Sequence, residues 1–522
     1  MPFPRIDDDI LLTLTLVIAL VALASFISVY LYGRFAKRAR GAPSWSIPIA
    51  GPETEADRTV APLTASHPGE TGIIVLARGR DAFRARALSA RAAGRSLDMM
   101  YYLWRGDLTG SLLVREVLAA ADRGVRVRLL LDDINTRGLD PEYLALTGHS
   151  GVEVRLFNPA KNRVTSLRRG AEMALRLLSV TRRMHNKAWI VDGRFAVIGG
   201  RNIGDTYFDA ARDINSSDMD AALIGPAVAA VETIFDTYWN SPLTLPITSL
   251  WKDREADLRG FRRSLAAIAA GGDAQRFLEA TPPDTGLGAV FGGEPALHWN
   301  DAPRILCDPP EKTQRGEPDR WMIRSLAPLI AAASREVRVT TAYFVPGKQG
   351  VEGLRGLAER GVAVSVLTNS LASTNQVTVH GGYSEARPAL LEAGIRLFEL
   401  RPQDPSLGRI TLFGTVGATL HAKNFTLDGR LGFIGSFNFD LRSAFLNTEM
   451  GLLVDDAAIT AEIEAVFAAE TAPARSYEAL LEDGALRWRD QDGTILRHEP
   501  QASRGRLLVA AIVRLLPVKR QL

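Results

Sequence analysis

Residues 10–33 form a run of 24 residues without a charge, ILLTLTLVIALVALASFISVYLYG. At ~1.5 Å per residue, a helix of that length spans the ~30 Å hydrocarbon core of a bilayer with some tilt. Asp7, Asp8 and Asp9 precede the run, while Arg34, Lys37, Arg38 and Arg40 follow it. The positive-inside rule then expects the bulk of the chain on the cytoplasmic side. A cleaved signal peptide ending at Ala22-Leu23-Ala24 is the rival reading. The acidic start and the continuation of the apolar run past that point argue against it. Residues 1–40 are therefore expected to be a membrane anchor with a basic flank. Residues 41–71, rich in Pro, Ser, Thr and Gly and without periodicity, are expected to be a linker.

Beyond the linker, apolar positions alternate between helical and strand periods. Helical patterning over 81–95 leads to a strand at 97–104, a helix at 110–122, and strands at 125–131 and 152–157. Strands separated by helices predict parallel βαβ units. The plan then repeats, with a helix at 321–334, a strand at 337–344, a helix at 351–358 and strands at 362–367 and 395–400. One detail makes this a duplication. Ala121-Asp122-Arg123-Gly124-Val125 matches Ala358-Glu359-Arg360-Gly361-Val362 at an offset of 237 residues. Near-constant self-similarity implies two copies of one α/β domain, here 72–241 and 302–480. A connector is expected at 242–301. The C-terminal segment, 481–522, ends in RGRLLVAAIVRLLPVKRQL from 504, which suits either an interfacial membrane helix or a terminal helix packed on the domain.

Composition narrows the picture only slightly. The chain has 522 residues, 46% of them apolar, enough for several domains with large cores. A formal net charge of +3 is too small to indicate a nucleic-acid binder by itself. The single cysteine, Cys307, excludes an internal disulfide and a Cys-rich metal centre.

The chemistry lies in two stretches 236 residues apart. His185-Asn186-Lys187 is followed by Asp192-Gly193, Gly199-Gly200 and Asn202; His421-Ala422-Lys423 is followed by Asp428-Gly429, Gly435-Ser436 and Asn438. Both fit H-x-K-x4-D-x6-G-x2-N. An Asp-Gly pair between apolar runs is a strong two-residue hairpin signal, so Asp192 and Asp428 are read as turn-formers. In that register His185 faces Gly200 and His421 faces Ser436. His421, Lys423, Ser436 and Asn438 then share one face, as do His185, Lys187 and Asn202, and the small residue opposite each histidine leaves room for a ligand oxygen. Imidazole, ammonium and amide together suit a phosphodiester. The lysine and asparagine bind non-bridging oxygens, and the histidine attacks phosphorus or protonates a leaving oxygen. A nucleophilic histidine also needs an acceptor for its far nitrogen. Candidates within each half are Asp218, 33 residues after His185, and Glu449, 28 after His421. Tyr101, Tyr102, Trp104, Asp133, Tyr343, Asn369 and His380 lie near predicted strand ends and could line a pocket.

The duplicated motif resembles the phospholipase D superfamily. Arg183-Met184-His185-Asn186-Lys187, Gly199-Gly200-Arg201-Asn202-Ile203-Gly204-Asp205 and residues 435–443 (GSFNFDLRS) resemble the bacterial cardiolipin synthases, the C type most of all. Leu130-Leu131-Asp132-Asp133 and residues 367–372 (LTNSLA) do likewise, so the likeness extends over residues 65–522. It implies two phospholipase D-like domains, each a mostly parallel sheet flanked by helices, with a motif-bearing hairpin. It further implies a phosphatidyltransferase that works through a phosphohistidine and needs no metal or cofactor. Its substrates would be phosphatidylglycerol and a donor phospholipid, with His185 as nucleophile, His421 as acid–base, and Asp218 and Glu449 as the paired carboxylates. The expected location is the bacterial inner membrane, with phospholipids as partners. A hydrolase releasing phosphatidic acid would use the same residues. A nucleic-acid phosphodiesterase is disfavoured by the apolar span, the small charge and the lack of a basic–aromatic tract.

Overall fold

The computed structural model describes residues 8–136, 138–163, 166–176, 180–251, 256–281, 286–314, 316–402 and 419–515. Two sheets carry the architecture. The first contains β1 (Thr71–Leu76), β2 (Ser96–Tyr101), β3 (Arg126–Asp132), β4 (Val152–Phe157), β5 (Ala188–Val191), β6 (Phe195–Gly199), β7 (Asp220–Ile224), β8 (Thr244–Pro246) and β9 (His298–Asn300). Their spatial order is β8-β4-β3-β2-β5-β6-β7-β1-β9. The second contains β10 (Arg304–Cys307), β11 (Glu336–Thr341), β13 (Ala363–Asn369), β14 (Arg396–Leu400), β15 (Lys423–Leu427), β16 (Leu431–Gly435), β18 (Met450–Asp455), β19 (Ser476–Glu482), β20 (Ala485–Arg489) and β21 (Ile495–Leu496). It runs β10-β18-β16-β15-β11-β13-β14-β19-β20-β21. A short ribbon pairs β12 (Phe344–Val345) with β17 (Phe439–Asp440).

Eight consecutive strands correspond between the two orders, β1-β7-β6-β5-β2-β3-β4-β8 with β10-β18-β16-β15-β11-β13-β14-β19, while β9, β20 and β21 have no counterpart. In each, a central strand (β2, β11) has a parallel neighbour on one side and the motif hairpin antiparallel on the other. The α/β class and the duplication are thus present as expected, but the sheets are not mostly parallel. Only β2-β3-β4 and β11-β13-β14 run parallel, and the motif hairpins and outer strands pair antiparallel because short turns and edge additions reverse the chain. The repeated glycine has a physical reason. Gly124 and Gly361 have φ of 93° and 85°, in the left-handed region. Each directly follows a helix, Leu108–Asp122 or Gly347–Glu359. The N–H of Gly124 donates to Ala121 and that of Val125 to Ala120, with the same pattern at Gly361 and Val362. This is a Schellman stop that turns each helix directly into β3 or β13.

Alternation along the strands divides the core. Leu97, Met99, Val127, Leu129 and Trp189 pack outward against Phe83, Leu113 and Val117. Met100, Ala188, Ile190, Ala196, Ile198, Ala221 and Leu223 face the other way and share a single core with Ile434, Met450, Leu452, Val454 and Ile463 of the second half. The halves are therefore fused through apolar strand faces, and burial of that common layer favours one fixed relation between them.

Several sequence expectations change here. The strand read at 337–344 is broken after Thr341 and resumes as β12. Residues 41–71 are not a free linker. Arg155 and Arg128 donate to the carbonyls of Ala42 and Ser44 at 2.5 and 3.0 Å, and a helix, Glu55–Ala65, starts at a Thr54–Asp57 capping box. The connector at 242–301 adds β8 and β9 to the two edges of the first sheet and supplies the helices Leu258–Ala270 and Gly272–Glu279. At the N-terminus, the helix Asp8–Ala39 is long and apolar enough to cross a membrane. Its last turns rest on the first half, where the Arg176 guanidinium lies 3.3 Å from the Tyr32 ring and Lys161 lies 5.0 Å from Phe35. The terminal helix Arg504–Leu515 is packed, with Arg506 bonded to the Leu371 and Thr374 carbonyls, yet Leu507, Leu508 and Ile512 remain exposed. Residues 516–522 of that tail lie outside the described residues.

The hairpins form, but with a loop one residue longer than expected. Val191 pairs with Phe195, and Leu427 with Leu431. Asp192 and Gly193 (φ 54° and 68°) make the turn, as do Asp428 and Gly429 (φ 56° and 66°), and Arg194 or Arg430 is left as an extra residue. The register is therefore one step from His185 facing Gly200 and His421 facing Ser436. The loop aspartates explain the geometry. Asp192 accepts from the backbone N–H groups of Gly94, Arg95 and Ser96 at 2.7–2.8 Å. Asp428 does the same for Ser334, Arg335 and Glu336 at 2.7–3.2 Å. Each staples its hairpin loop to the residues leading into the central strand.

Asp192 is fully buried, whereas its counterpart sits at an exposed loop. Stranded buried donors cost about 1–3 kcal/mol each, and water can replace the acceptor at an exposed site. Asp192→Ala is expected to lower stability by about 3 kcal/mol and Asp428→Ala by about 1 kcal/mol. Thermal unfolding of the detergent-solubilised proteins checks the ordering, and equal midpoints for the two variants would contradict it.

Candidate active site

Neither histidine lies within the ladders. His185 precedes β5, His421 precedes β15, and both asparagines follow the ends of β6 and β16. Backbone bonds between the halves place them. The His185 N–H donates to Thr448 O at 2.9 Å, and the Thr448 N–H returns a bond to Arg183 O at 2.9 Å. The His421 N–H donates to Ser217 O at 2.8 Å, and the Ser217 N–H donates to Thr419 O at 2.8 Å. The residue after each of these partners is a carboxylate. Consequently the carboxylates are exchanged. His185 Nδ1 lies 2.8 Å from Glu449 Oε2, and His421 Nδ1 lies 2.5 Å from Asp218 Oδ2. Both acceptors read from the sequence are present, but each serves the histidine of the opposite half. Spacing within a half could not reveal this, because the bond depends on how the two sheets stack.

A carboxylate only accepts, so the shared proton sits on Nδ1 and leaves each Nε2 as a lone pair. Burial pushes both imidazoles below the usual histidine range; the facing carboxylates resist this, and Lys187 and Lys423 add to it. Each histidine therefore senses the lysine of the other half as well as its own, which places the two motifs in one electrostatic site. Burial acts to raise the Glu449 and Asp218 carboxyls, but their histidines and the lysines outweigh it and hold both below the ordinary carboxylate range. Lys187 and Lys423 are each about 1% exposed, and each ammonium donates to the carbonyl of its own motif histidine. Burial lowers both; Lys423 comes down to about 8 despite Asp218 and Glu449.

Gly199 and Gly435 have the structural role expected of them, whereas Gly200 and Ser436 behave differently from expectation. A Cβ on Gly199 would meet the Asp220 Cα at 2.5 Å, and one on Gly435 would meet Met450 O at 2.5 Å. Both glycines are required by the close approach of β7 and β18. A Cβ on Gly200 would lie 2.1 Å from Asp218 Oδ1, so the space expected for a ligand oxygen holds the carboxylate instead. Ser436 fills the equivalent place with a hydroxyl that donates to Glu449, as does Ser443. Asn202 has Tyr207 Oη at 3.2 Å, and its Oδ1 has no partner among the described residues. Asn438 Oδ1 faces Thr341 Oγ1 at 3.4 Å.

Of the residues chosen by position, Tyr102 meets His185 edge to face at 4.9 Å and lies 5.4 Å from the Lys187 ammonium. Asn369 braces the approach to His421 through Leu420, accepting from its N–H and donating to its carbonyl. Tyr343 bonds Asn375 at 2.8 Å. Tyr101 bonds Arg86, Trp104 lies in the outer core, Asp133 is held by Arg163 and Arg169, and His380 sits beside Glu399 and Glu499. Tyr207, which meets His421 at 5.0 Å as Tyr102 meets His185, was missed. Its place five residues after Asn202 is the only signal the chain offers. Asp308 was also missed; it accepts from the Glu449 N–H and from buried Lys312.

Glu449→Gln and Asp218→Asn are each expected to reduce kcat by up to about 10⁴, the loss seen when a triad aspartate becomes asparagine. Wild-type rates in both variants would show that neither carboxylate orients its histidine. The Lys423 ammonium loses its proton as the pH rises through about 8. The kcat/KM profile, which reports the free enzyme, should therefore fall on its alkaline side near that pH, and Lys423→Arg should move the fall upward.

Comparison with known proteins shows the family. Residues 89–239 and 326–471 match the family described as cardiolipin synthase, PLD-like domain. The chain is 37% identical over 468 residues to cardiolipin synthase C of Escherichia coli K12, covering 88% of this chain and 98% of that one. It is 22% identical over 392 residues to a cardiolipin synthase of Staphylococcus aureus, covering 74% of this chain and 65% of the other. Among solved structures, a phosphatidylserine synthase of Haemophilus influenzae aligns with a TM-score of 0.57 at 13% identity, over 86% of this chain and 95% of that one, which shows a shared fold. The duplicated domains and these matches place the chain in the cardiolipin synthase family of the phospholipase D superfamily, as a phosphatidyltransferase with one helix long and apolar enough to cross a membrane.

Proposed function

We propose that this enzyme makes cardiolipin by transferring a phosphatidyl group to phosphatidylglycerol through a covalent histidine intermediate. The observation that carries the reading is the pair of crossed His–carboxylate contacts, which orient two imidazoles at one site lined by two lysines. In the first step His185 Nε2 attacks the phosphorus of the donor phospholipid. The donor's anionic phosphate, together with Asp218, stabilises a proton taken up on His421 Nε2; the N–P bond forms, the P–O bond to the headgroup breaks, and the leaving oxygen takes that proton. In the second step His421 removes a proton from the glycerol hydroxyl of phosphatidylglycerol, whose oxygen displaces His185 from phosphorus. Glu449 and Asp218 stabilise the imidazolium or phosphohistidine form of their partners. Lys187, Lys423 and the amides of Asn202 and Asn438 bind the non-bridging oxygens, where negative charge must be balanced in a buried site.

The assignment of His185 as nucleophile rests on family resemblance. A difference between the halves accords with it. Glu449 receives hydroxyl bonds from Ser436 and Ser443 as well as contacting His185, so the His185 half-site is the more firmly braced. The charge asymmetry around the apolar span supports the inner membrane as the location, with the catalytic halves facing the cytoplasm.

Purified protein given labelled phosphatidylglycerol should yield labelled cardiolipin. Phosphatidic acid as the sole product would make it a hydrolase instead. His185→Ala and His421→Ala should each abolish turnover, and rapid denaturation at neutral to mildly alkaline pH, where an N–P bond survives, followed by mass spectrometry should find the phosphatidyl group on His185. A modified His421 would reverse the division of labour. For orientation, a green fluorescent protein fused at the C-terminus should fluoresce, and a phosphatase fused there should be inactive; the opposite pattern would place the site outside the cytoplasm.

A further inference from the structure

Next to the segments that carry the motif residues lies an open, mostly apolar groove of about 1080 Å³. One wall is formed by the helices Met322–Ala331 and Gly347–Glu359, through Ile323, Ile330 and Leu354. The floor is Phe437 and Phe439, which alternate in the chain with Ser436 and Asn438 of the second motif. The remaining side includes Thr181 and Arg182, shortly before His185. The same backbone segments that position the catalytic groups thus present their other side chains to the groove. Phe445, 43% exposed, extends its apolar lining to the surface.

The anchor helix rests on Arg176 through Tyr32, and the chain then runs through Thr181 and Arg182 to His185. A groove this apolar, open to solvent, is costly unless something apolar occupies it. Its rim carries Arg182 and Lys348, cations suited to the polar boundary of an anionic lipid.

We infer that this groove holds an acyl chain of a phospholipid substrate whose phosphate sits between the two histidines. The inference rests on the lipid-transfer reading above and adds where the apolar part of the substrate lies. The phosphate and glycerol occupy the buried polar cleft, and the chain passes Asn438 to lie along Phe437 and Phe439 between the two helices. Binding then discriminates by chain length. Each buried methylene contributes about fourfold in affinity, so shortening a chain by two should reduce kcat/KM by roughly fifteenfold until the chain no longer reaches the groove.

Filling the groove tests this. Ala327 and Gly353 are exposed positions on the two helices, and a Cβ at Gly353 meets nothing within 4 Å, so Ala327→Trp and Gly353→Trp should fold. In mixed micelles, both variants should lose at least tenfold in kcat/KM for dioleoyl phosphatidylglycerol and keep nearly wild-type values for the dihexanoyl lipid. Equal loss on both lipids, or no loss on either, would overturn the inference. A phosphatidylglycerol with a photoreactive group near the end of one acyl chain provides a readout independent of turnover. It should label the helices at 322–331 and 347–359 in the full-length protein, including the His185→Ala variant. Labelling only elsewhere would also overturn it. Wild-type protein that labels at the groove but makes no cardiolipin would sink the proposed reaction while leaving the groove assignment standing.

Discussion

The reciprocal exchange between the two halves is the constraint on which this structure depends. Thr448 and Ser217 each hold a motif histidine by the backbone, and the next residue reaches that same histidine with a carboxylate. Neither half contains a complete catalytic pair. The bonds require strand ends from two sheets to meet in register, and the apolar layer shared by β5–β7 with β16 and β18 supplies that register. Packing at the density of a protein interior tolerates little sliding, so the core acts as the jig for the chemistry.

That arrangement also explains how so many charges stay buried. Two lysines, two histidines and two carboxylates lie in a region almost closed to water. An unpaired ion there would be expensive. The cost is limited because the positive and negative groups alternate across the domain junction and because both imidazoles are neutral in the free enzyme. The lysine ammonium groups, folded onto the histidine carbonyls, are held near the place where a phosphate would need them. Preorganised cations of this kind bind the reacting group without reorganising at the moment of reaction.

The loop aspartates show how a motif letter can mislead about chemistry while being right about structure. Asp192 and Asp428 are the third letter of both motifs, yet each faces three backbone N–H groups at the far end of its hairpin. Gly199 and Gly435 are similarly structural, because neighbouring backbone occupies the space a side chain would need. Residues that merely support the pocket, such as Asp308 behind Glu449 and Tyr207 beside His421, carry no local pattern. Their roles come from partners 141 and 214 positions away in the chain.

What the sequence by itself determined follows from local periodicity and repetition: the apolar span, the βαβ alternation, the duplicated domain, the Asp-Gly turns and the His, Lys and Asn sets. These are short-range properties, legible because 3.6- and 2-residue periods and turn residues act on neighbours in the chain. The tertiary structure decided the one-residue shift in the hairpins, the docking of 41–71 and 242–301 onto the first half, and the crossing of Glu449 to His185 and Asp218 to His421. Local pattern is silent about these because they depend on which faces meet when two sheets bury a common core. Two equivalent half-sites look the same in sequence whether their carboxylates pair within a half or across the junction, and only the stacking distinguishes the two.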